Sequence, residues 1–288
     1  NGRVYRIKAK GTKPGRPLDL GKLSNEQLIE LLGHKNEWFR QTALRLIADR
    51  RDAALIPPLR GLVAKQSGQR ALEACWALNL SGGLDDDFAI RTLDHPDPYV
   101  RLWTARLLCD ARALSTASAQ KLAGLALTEP QVEVRSQMAS SAKRLPAREA
   151  FPIVRNLLTH DPDTKDIYVP LLLWWAIEAK AETDRDAVLE FFQDVQLWNL
   201  PLVQEHLLER VMRRYAMAGT RKDLLACARL LRLSPGPAPT ARLMAGFEEA
   251  FKGRSLAALP EELIEALAQR GGGSVALRVR LGRADAVE

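Results

Sequence analysis

Three histidines recur at matching places in this 288-residue chain and are its first candidates for chemistry. His34, His95 and His160 each fall between two predicted helices, 61 and 65 residues apart. Imidazoles are common zinc ligands, with metal–nitrogen bonds of about 2 Å. Turns two repeats apart in a stack of helices lie roughly 20 Å from one another, because neighbouring helices pack about 8–10 Å apart. We therefore expect turn residues here, with neither a shared metal site nor a bound cofactor.

The short motifs of common catalytic sites are missing from the sequence. There is no Gly-x-Ser-x-Gly elbow, no phosphate-binding Gly-x-x-x-x-Gly-Lys loop and no His-Glu-x-x-His helix. Cys75 and Cys109 lie inside apolar helical patterns, where a free cysteine behaves as a small buried hydrophobe. The run Asp85 to Asp87 lacks the spacing of a calcium loop and predicts a helix start instead. We expect no catalytic residues in this chain.

A pair of tryptophans is the strongest candidate for a binding surface. Adjacent residues of a helix point about 100° apart, so Trp174 and Trp175 cannot both face the same core. Glu178 follows one turn later, and one of the tryptophans could line an exposed concave groove beside it. Trp38 and Trp103 also belong to predicted second helices and could join such a groove. The alternative is that both members of the pair are buried between layers, since their surroundings are wholly apolar.

Arginines recur with a regular spacing at the starts of the predicted second helices. Arg40, Arg70, Arg101 and Arg135 are 30, 31 and 34 residues apart. Each could bridge to an acidic or carbonyl group of the neighbouring repeat, which favours a structural ladder. The alternative is a ligand surface, and Arg40, Arg101 and Arg135 are therefore kept with the tryptophans and Glu178 as candidate partner-surface residues.

The elements that would position these residues are pairs of helices. Apolar residues recur with helical spacing from Leu23 onward, and the pair repeats every 30–35 residues. Ser24 and Gln27 have the spacing of a capping box. A helical pair recurring at this period is typical of a stacked α-solenoid. The sequence therefore predicts an all-α, HEAT-like α-solenoid, a right-handed superhelix of about seven antiparallel helix pairs.

The net charge of +7 belongs almost entirely to the first 22 residues. This segment carries seven basic side chains and one acidic one, or +6, and residues 23–288 sum to only +1. We interpret residues 1–22 as a basic extended arm, the end of an upstream β-propeller or a linker, with a strand over residues 3–8. Residues 23–288 form the predicted repeat domain. A balanced body disfavours nucleic acid as the partner, because phosphate binding needs a clustered basic surface.

The first residues of the chain and the lengths of its apolar runs indicate what kind of protein it belongs to. The chain begins Asn1-Gly2-Arg3 without a Met, and we interpret it as a fragment of a larger protein. Apolar runs stay well below the roughly 18–20 residues of a membrane span. The sequence therefore predicts no membrane-spanning segment within these residues.

Five segments resemble a known family of multidomain proteins. They are Gly2 to Ile7, Leu23 to Leu28, Asn36 to Ala43, Leu171 to Glu178 and Gly246 to Arg254. Together they resemble the HEAT region of large planctomycete-type proteins described as membrane-bound dehydrogenases. In that family a β-propeller precedes the HEAT region and a c-type cytochrome domain comes last. The resemblance implies an extracytoplasmic, periplasmic or membrane-associated parent with oxidoreductase activity in domains other than this one.

The function expected from these observations is a non-catalytic scaffold or protein-interaction module. Its partners would be neighbouring domains of the same parent chain or another protein. One alternative is a HEAT-like DNA-binding protein of the alkylpurine DNA glycosylase type, which shares the architecture but no residue constellation that can be placed here. A second is a freestanding chaperone or lyase scaffold acting on another protein.

Overall fold

The computed structural model describes residues 5, 7, 9–11, 18–256, 259–270 and 279. The chain divides into two compact units, unit 1 (Asn1–Gly83) and unit 2 (Leu84–Glu288). Helices and turns account for the secondary structure of the described residues, which contain no strand. Most of the strand predicted over residues 3–8 lies outside the described residues.

The described part of unit 1 contains two helix pairs. Its α-helices are α1 (Asn25–Leu31), α2 (Glu37–Arg50), α3 (Ile56–Lys65) and α4 (Gly68–Leu80). Within each pair the helices pack on one another, and α2 also packs on α4. The second helices of the two pairs therefore form one layer.

Unit 2 continues the same pattern with longer stacks. Its α-helices are α5 (Asp86–Thr92), α6 (Pro98–Asp110), α7 (Thr116–Thr128), α8 (Val132–Ala142), α9 (Ala147–Leu157), α10 (Val169–Glu178), α11 (Arg185–Phe191), α12 (Leu208–Ala218), α13 (Arg221–Leu233), α14 (Pro237–Ala250) and α15 (Glu261–Gln269). The even-numbered helices α6 to α14 pack in succession as one layer, and the odd-numbered helices α5 to α15 pack as the other. Each layer is thus a stack of parallel elements from successive repeats.

The predicted fold class is confirmed. Over the residues that the structure describes, both units are all-helical and HEAT-like, and their helices follow one another as seven pairs with α15 added at the end. This agrees with the number of pairs expected from the sequence. None of the helices in the described part is both long enough and apolar enough to cross a membrane.

Side-chain caps fix where several of these helices begin. Ser24 and Gln27 form the predicted capping box at α1. Asn36 caps α2 and Asp97 caps α6, each by accepting a hydrogen bond from the backbone N–H two residues later. Asp85 accepts from the Phe88 N–H at 2.9 Å, so the acidic run does start a helix. Satisfying the free N–H groups of the first turn stabilises each helix by about 1 kcal/mol.

The core of unit 2 lies between its two helical layers. Trp198, Tyr215 and Phe192 are its largest fully buried side chains. Cys109 and Cys227 are free thiols buried in the same core, and Cys75 is buried in unit 1. The prediction that Cys75 and Cys109 are small core residues is therefore confirmed.

The spacing of the even-numbered layer changes abruptly at α12. A Cβ added at Gly246 of α14 would lie 2.1 Å from the carbonyl oxygen of Glu209, so the backbones of α12 and α14 are in close contact. Packing between α10 and α12 is much sparser. A π-helical turn, Val203–Leu207, leads directly into α12 on this side. The result is an open groove between α10 and α12.

Candidate partner-binding groove

The recurring arginines make the same set of contacts in three repeats. In Arg40, Arg101 and Arg135 one terminal nitrogen donates to the carbonyl oxygen six residues earlier, at 2.7–2.9 Å. The Nε atom of each donates at 2.7–2.8 Å to a carboxylate of the next repeat. These carboxylates are Glu73, Glu129 and Asp163, respectively.

These three ion pairs are buried. The Arg135 side chain is 9% exposed and its partner Asp163 is 3% exposed. Hydrogen bonds to Asp163 and Glu129 raise the pKa values of Arg135 and Arg101 above the ordinary value. A charge at such a site must keep its partner, because leaving either one unpaired is costly. The contacts give these arginines a role in holding successive repeats together and leave little of them exposed to a partner.

Arg70 does not follow this pattern, for a reason of register. Arg40, Arg101 and Arg135 are the fourth residues of their helices, whereas Arg70 is the third residue of α4. A shift of one residue turns a side chain by about 100°, and Arg70 is accordingly exposed. A further, partly buried pair exists that the spacing did not reveal, in which Arg185 donates to Asp223 at 2.7 Å.

The predicted tryptophan pair lies at the open groove between α10 and α12. The groove has a volume of about 540 Å³ and is lined by Trp174, Trp175, Glu178, Arg210, Arg213, Arg214, Met217 and Ala218. Trp174 is half-buried and packs against the core, whereas Trp175 is 41% exposed. Met217 faces it with 55% of its surface exposed. The two tryptophans thus point to different environments, and the exposed one supplies an apolar floor.

Lys180 and Lys143 secure the α10 side of the groove. The buried ammonium group of Lys180 donates to the carbonyl oxygens of Ala142 and Lys143, both at 2.9 Å. It thereby caps the end of α8. The Lys143 ammonium lies 5.4 Å from the centre of the Trp175 ring, within range of a cation–π interaction. Burial lowers the pKa of Lys180 to about 8.

The α12 side of the groove is basic. Arg210, Arg213, Arg214 and Met217 are spaced so that they share one helical face. Arg214 donates to Glu178 of α10 at 2.9 Å, which links the two walls. The side chain of Arg210 donates to the backbone carbonyl of His206 at 2.7 Å. Three arginines against one carboxylate give the groove a positive surplus.

The other two tryptophans lie elsewhere and do not line this groove. Trp38 belongs to α2 in unit 1 and is 56% exposed. Trp103 belongs to α6, is half-buried, and has the Arg106 guanidinium 4.7 Å from its ring centre. Of the eight candidate residues, the structure therefore brings together Trp174, Trp175 and Glu178.

The histidines considered for metal binding are engaged in local turns. The Nδ1 atoms of His34 and His95 each accept a hydrogen bond at 3.0 Å from the backbone N–H two residues later. His160 lies with Nε2 2.8 Å from the Ala126 carbonyl oxygen. Within the described ranges, no three His, Cys, Asp or Glu side chains are grouped so that they could hold a metal ion.

Sequence reasoning missed the arginines of α12, although a signal was present. Arg210, Arg213, Arg214 and Met217 occupy positions i, i+3, i+4 and i+7, the spacing of one helix face. The π-helical turn that precedes them gave no such signal. It has the wider hydrogen-bond spacing of a π-helix and leads directly into α12.

Comparison with known proteins gives no family assignment. No family model matches the chain, and no curated protein matches it either. Among solved structures, one engineered protein is 18% identical, covering 91% of this chain and 82% of its own, with a TM-score of 0.40. The complex of CpcE and CpcF of phycocyanin lyase from Nostoc sp. PCC7120 is 15% identical, covering 92% and 99%, with a TM-score of 0.40. A second engineered protein is 18% identical, covering 80% and 97%, with a TM-score of 0.33. Because these TM-scores are below 0.5, the fold assignment rests on the helix pairs of this chain itself.

Proposed function

We propose that this chain is a non-catalytic HEAT-like scaffold whose partner-binding surface is the groove between α10 and α12. The observation that carries the proposal is the exposed Trp175 floor beside the arginine face of α12. Binding surfaces of proteins are enriched in Trp, Tyr, Met and Arg at their centres. Four of the eight lining residues are of these types on α12 alone, and two more are the tryptophans of α10.

The geometry also supports a preformed site. Trp174 packs against the core, and the pair formed by Arg214 and Glu178 joins the two walls. Close packing of α14 on α12, where Gly246 meets the backbone of Glu209 and Arg213, holds α12 in place. Side chains that are already ordered lose less conformational entropy when a partner binds.

The remaining candidate residues support a scaffold role of a different kind. Arg40, Arg101 and Arg135 each connect their own repeat to the following one through an ion pair that is largely buried. We propose that they keep the stack rigid and take no direct part in binding. The buried cysteines and the turn histidines are likewise committed to packing and local hydrogen bonds.

The wider setting proposed for this scaffold comes from the sequence resemblance alone. In a planctomycete-type dehydrogenase the chain would join a β-propeller to an electron-transfer domain outside the cytoplasm. The partner would then be a neighbouring domain of the same parent or a separate protein. The redox chemistry would belong to those other domains.

A peptide-display selection tests the proposed groove. Random peptides of about twelve residues are selected on the full chain and then counter-screened on Ala218→Trp, which fills the groove at an exposed position. Ala64→Trp places the same side chain on exposed α3 in unit 1 and is the matched control. We expect selected peptides to lose binding to Ala218→Trp and to keep it on Ala64→Trp.

The opposite pattern would remove the proposal. Selected peptides that bind Ala218→Trp as well as the unchanged chain would place the binding surface elsewhere. Circular dichroism of both variants must show an unchanged helical spectrum, so that a loss of binding reports on the groove and not on folding.

A further inference from the structure

The groove between α10 and α12 is one end of a longer depression. Arg214 and Ala218 also line a second cavity of about 570 Å³ at the start of α13. Arg185 and Lys222 are shared between this cavity and a third one of about 370 Å³, which extends to Arg229. The three cavities therefore form a continuous trough, all within unit 2, which begins at the tryptophans and ends between α11 and α13.

The trough is positively charged along its whole length. Beyond the three arginines of α12, its cationic side chains are Arg185, Arg221, Lys222 and Arg229. Its carboxylates are Glu178, Glu182, Asp186 and Asp223. Seven cations thus stand among four carboxylates in the lining. Arg213 and Arg221 are also paired with Glu249 and Glu262, which lie outside the lining.

Several of these cations are available for a partner. The side chain of Lys222 is exposed and makes no ion pair with another described residue, and Arg210 contacts a backbone carbonyl. The pair between Arg229 and Asp186 is loose, at 3.8 Å, with side chains 41% and 90% exposed. Exposed pairs of this kind contribute little to stability, so a partner's carboxylate can replace the internal one at low cost.

We propose that the trough binds an acidic, extended segment of a partner protein. Carboxylates of the segment pair with Arg210, Lys222 and Arg229, and an aromatic or aliphatic side chain packs on Trp175 and Met217. The proposal rests on the function proposed above and adds the chemistry of the partner. An apolar anchor at one end and a row of charges along the rest would fix both the position and the direction of the segment.

The interspersed carboxylates favour a polypeptide over a nucleic acid. Glu182 and Asp186 are 84% and 90% exposed at the edge of the trough. A phosphodiester backbone carries a negative charge at every nucleotide, so part of it would lie against these two groups. A polypeptide can place its acidic residues opposite the cations and uncharged or basic residues opposite the carboxylates.

Fluorescence anisotropy with synthetic probes tests the proposal on the full chain. The labelled probes are an acidic peptide of Glu and Gly with one Trp at its end, the same peptide with Lys for Glu, and the same peptide with Ser for Glu. A labelled oligothymidylate is the nucleic-acid probe. We expect the acidic peptide to bind at least about tenfold more tightly than the other three, with an affinity that falls as salt is added.

Variants locate the binding. Lys222→Glu alone, and combined with Arg210→Gln, should weaken binding of the acidic peptide by about tenfold or more. Lys65→Glu reverses an exposed charge on α3 of unit 1 and should leave it unchanged. The single variant changes one exposed side chain, so a folding defect in the double variant would not remove the test.

Three results would contradict the proposal that the trough binds an acidic segment. They differ in whether they also contradict the groove as the partner-binding surface. Equal binding of all three peptides, lost in Ala218→Trp, would leave the groove as the partner surface but contradict its charge preference. Oligothymidylate binding that depends on Lys222, without binding of the acidic peptide, would replace the partner by a single-stranded nucleic acid. If the acidic peptide binds equally well to the Lys222, Arg210 and Ala218 variants, the trough is not its binding site. The display selection would then test separately whether the groove between α10 and α12 binds a partner.

Discussion

Arg214 and Glu178 join α12 to α10 across the candidate groove, with Nε 2.9 Å from Oε1. The two side chains are 29% and 35% exposed, so water screens their interaction. Ion pairs of this kind contribute about 0–1 kcal/mol to stability. A partner's carboxylate can therefore replace Glu178 as the ion-pair partner of Arg214 with little loss of stability.

Replacing Glu178 by Gln should strengthen binding of an acidic segment. The substitution keeps the shape of the side chain and removes the negative charge that competes for Arg214. We expect the affinity for the acidic peptide to rise severalfold and the free energy of unfolding to change by less than about 1 kcal/mol. Titrations followed by anisotropy, together with urea unfolding, measure the two quantities. Glu133→Gln, at an exposed position of α8, is the control, and weaker binding by Glu178→Gln would contradict the assigned role.

Removing an arginine of a buried ion pair should lower the free energy of unfolding far more than removing an arginine of an exposed pair. Arg135→Ala leaves Asp163 buried without its partner, and we expect a loss of roughly 3–5 kcal/mol in the free energy of unfolding. Arg144 pairs with Asp110 at 2.6 Å, but both side chains are more than a third exposed. Arg144→Ala should therefore cost no more than about 1 kcal/mol. Similar denaturant midpoints for the two variants would show that the buried pairs do not hold the repeats together.

The substitution Gly246→Ala, which adds one methyl group, should destabilise unit 2. The new Cβ would lie 2.1 Å from the Glu209 carbonyl oxygen, and the contact is with backbone, so α12 and α14 must separate. Overpacking of this kind costs about 1–3 kcal/mol or more. Gly124→Ala in α7 is a matched control, because a Cβ there meets nothing within 4 Å. Removing a helical glycine without a clash should stabilise by about 0.5–1 kcal/mol, and thermal unfolding distinguishes the two signs.

Lys180 should make stability depend on alkaline pH. Burial lowers its pKa from 10.5 to about 8, so between these values the unfolded chain binds more protons than the folded one. Stability contributed by this site therefore rises with pH across that window, with a slope of at most about 1.4 kcal/mol per pH unit. The difference in free energy of unfolding between the unchanged chain and Lys180→Met, measured from pH 7.5 to 10, isolates this slope from the other titrating groups. If the difference in free energy of unfolding between the two proteins stays constant with pH, the pKa of Lys180 is not lowered by burial.

The helix pairs could be predicted from the sequence because local signals set them. Apolar periodicity and caps such as Ser24, Asn36 and Asp97 act within a few residues, and each marked a real helix start. The arginine ladder was predictable for the same reason, except at Arg70, where a shift of one residue decides the outcome. Helix α15 was not predicted, although Pro260 immediately before it is typical of a helix start.

The groove could be predicted only in part. The sequence identified Trp174, Trp175 and Glu178 because they share one helix. It did not identify Arg210, Arg214 or the distance between α10 and α12. The π-helical turn before α12 and the close approach of α12 to α14 at Gly246 border this groove, and neither can be predicted from a helical pattern. Contacts between helices distant in the chain require the packed structure.

The affinity of one display-selected peptide for two tryptophan variants tests the partner surface most directly. Trp175→Ala removes the exposed floor of the groove, whereas Trp103→Ala removes a half-buried tryptophan of α6 that lies outside it. We expect at least about a tenfold loss of affinity for Trp175→Ala and a change within about twofold for Trp103→Ala. Unchanged binding by a folded Trp175→Ala variant, or an equal loss in both variants, would contradict the assignment of this groove as the place where partners bind.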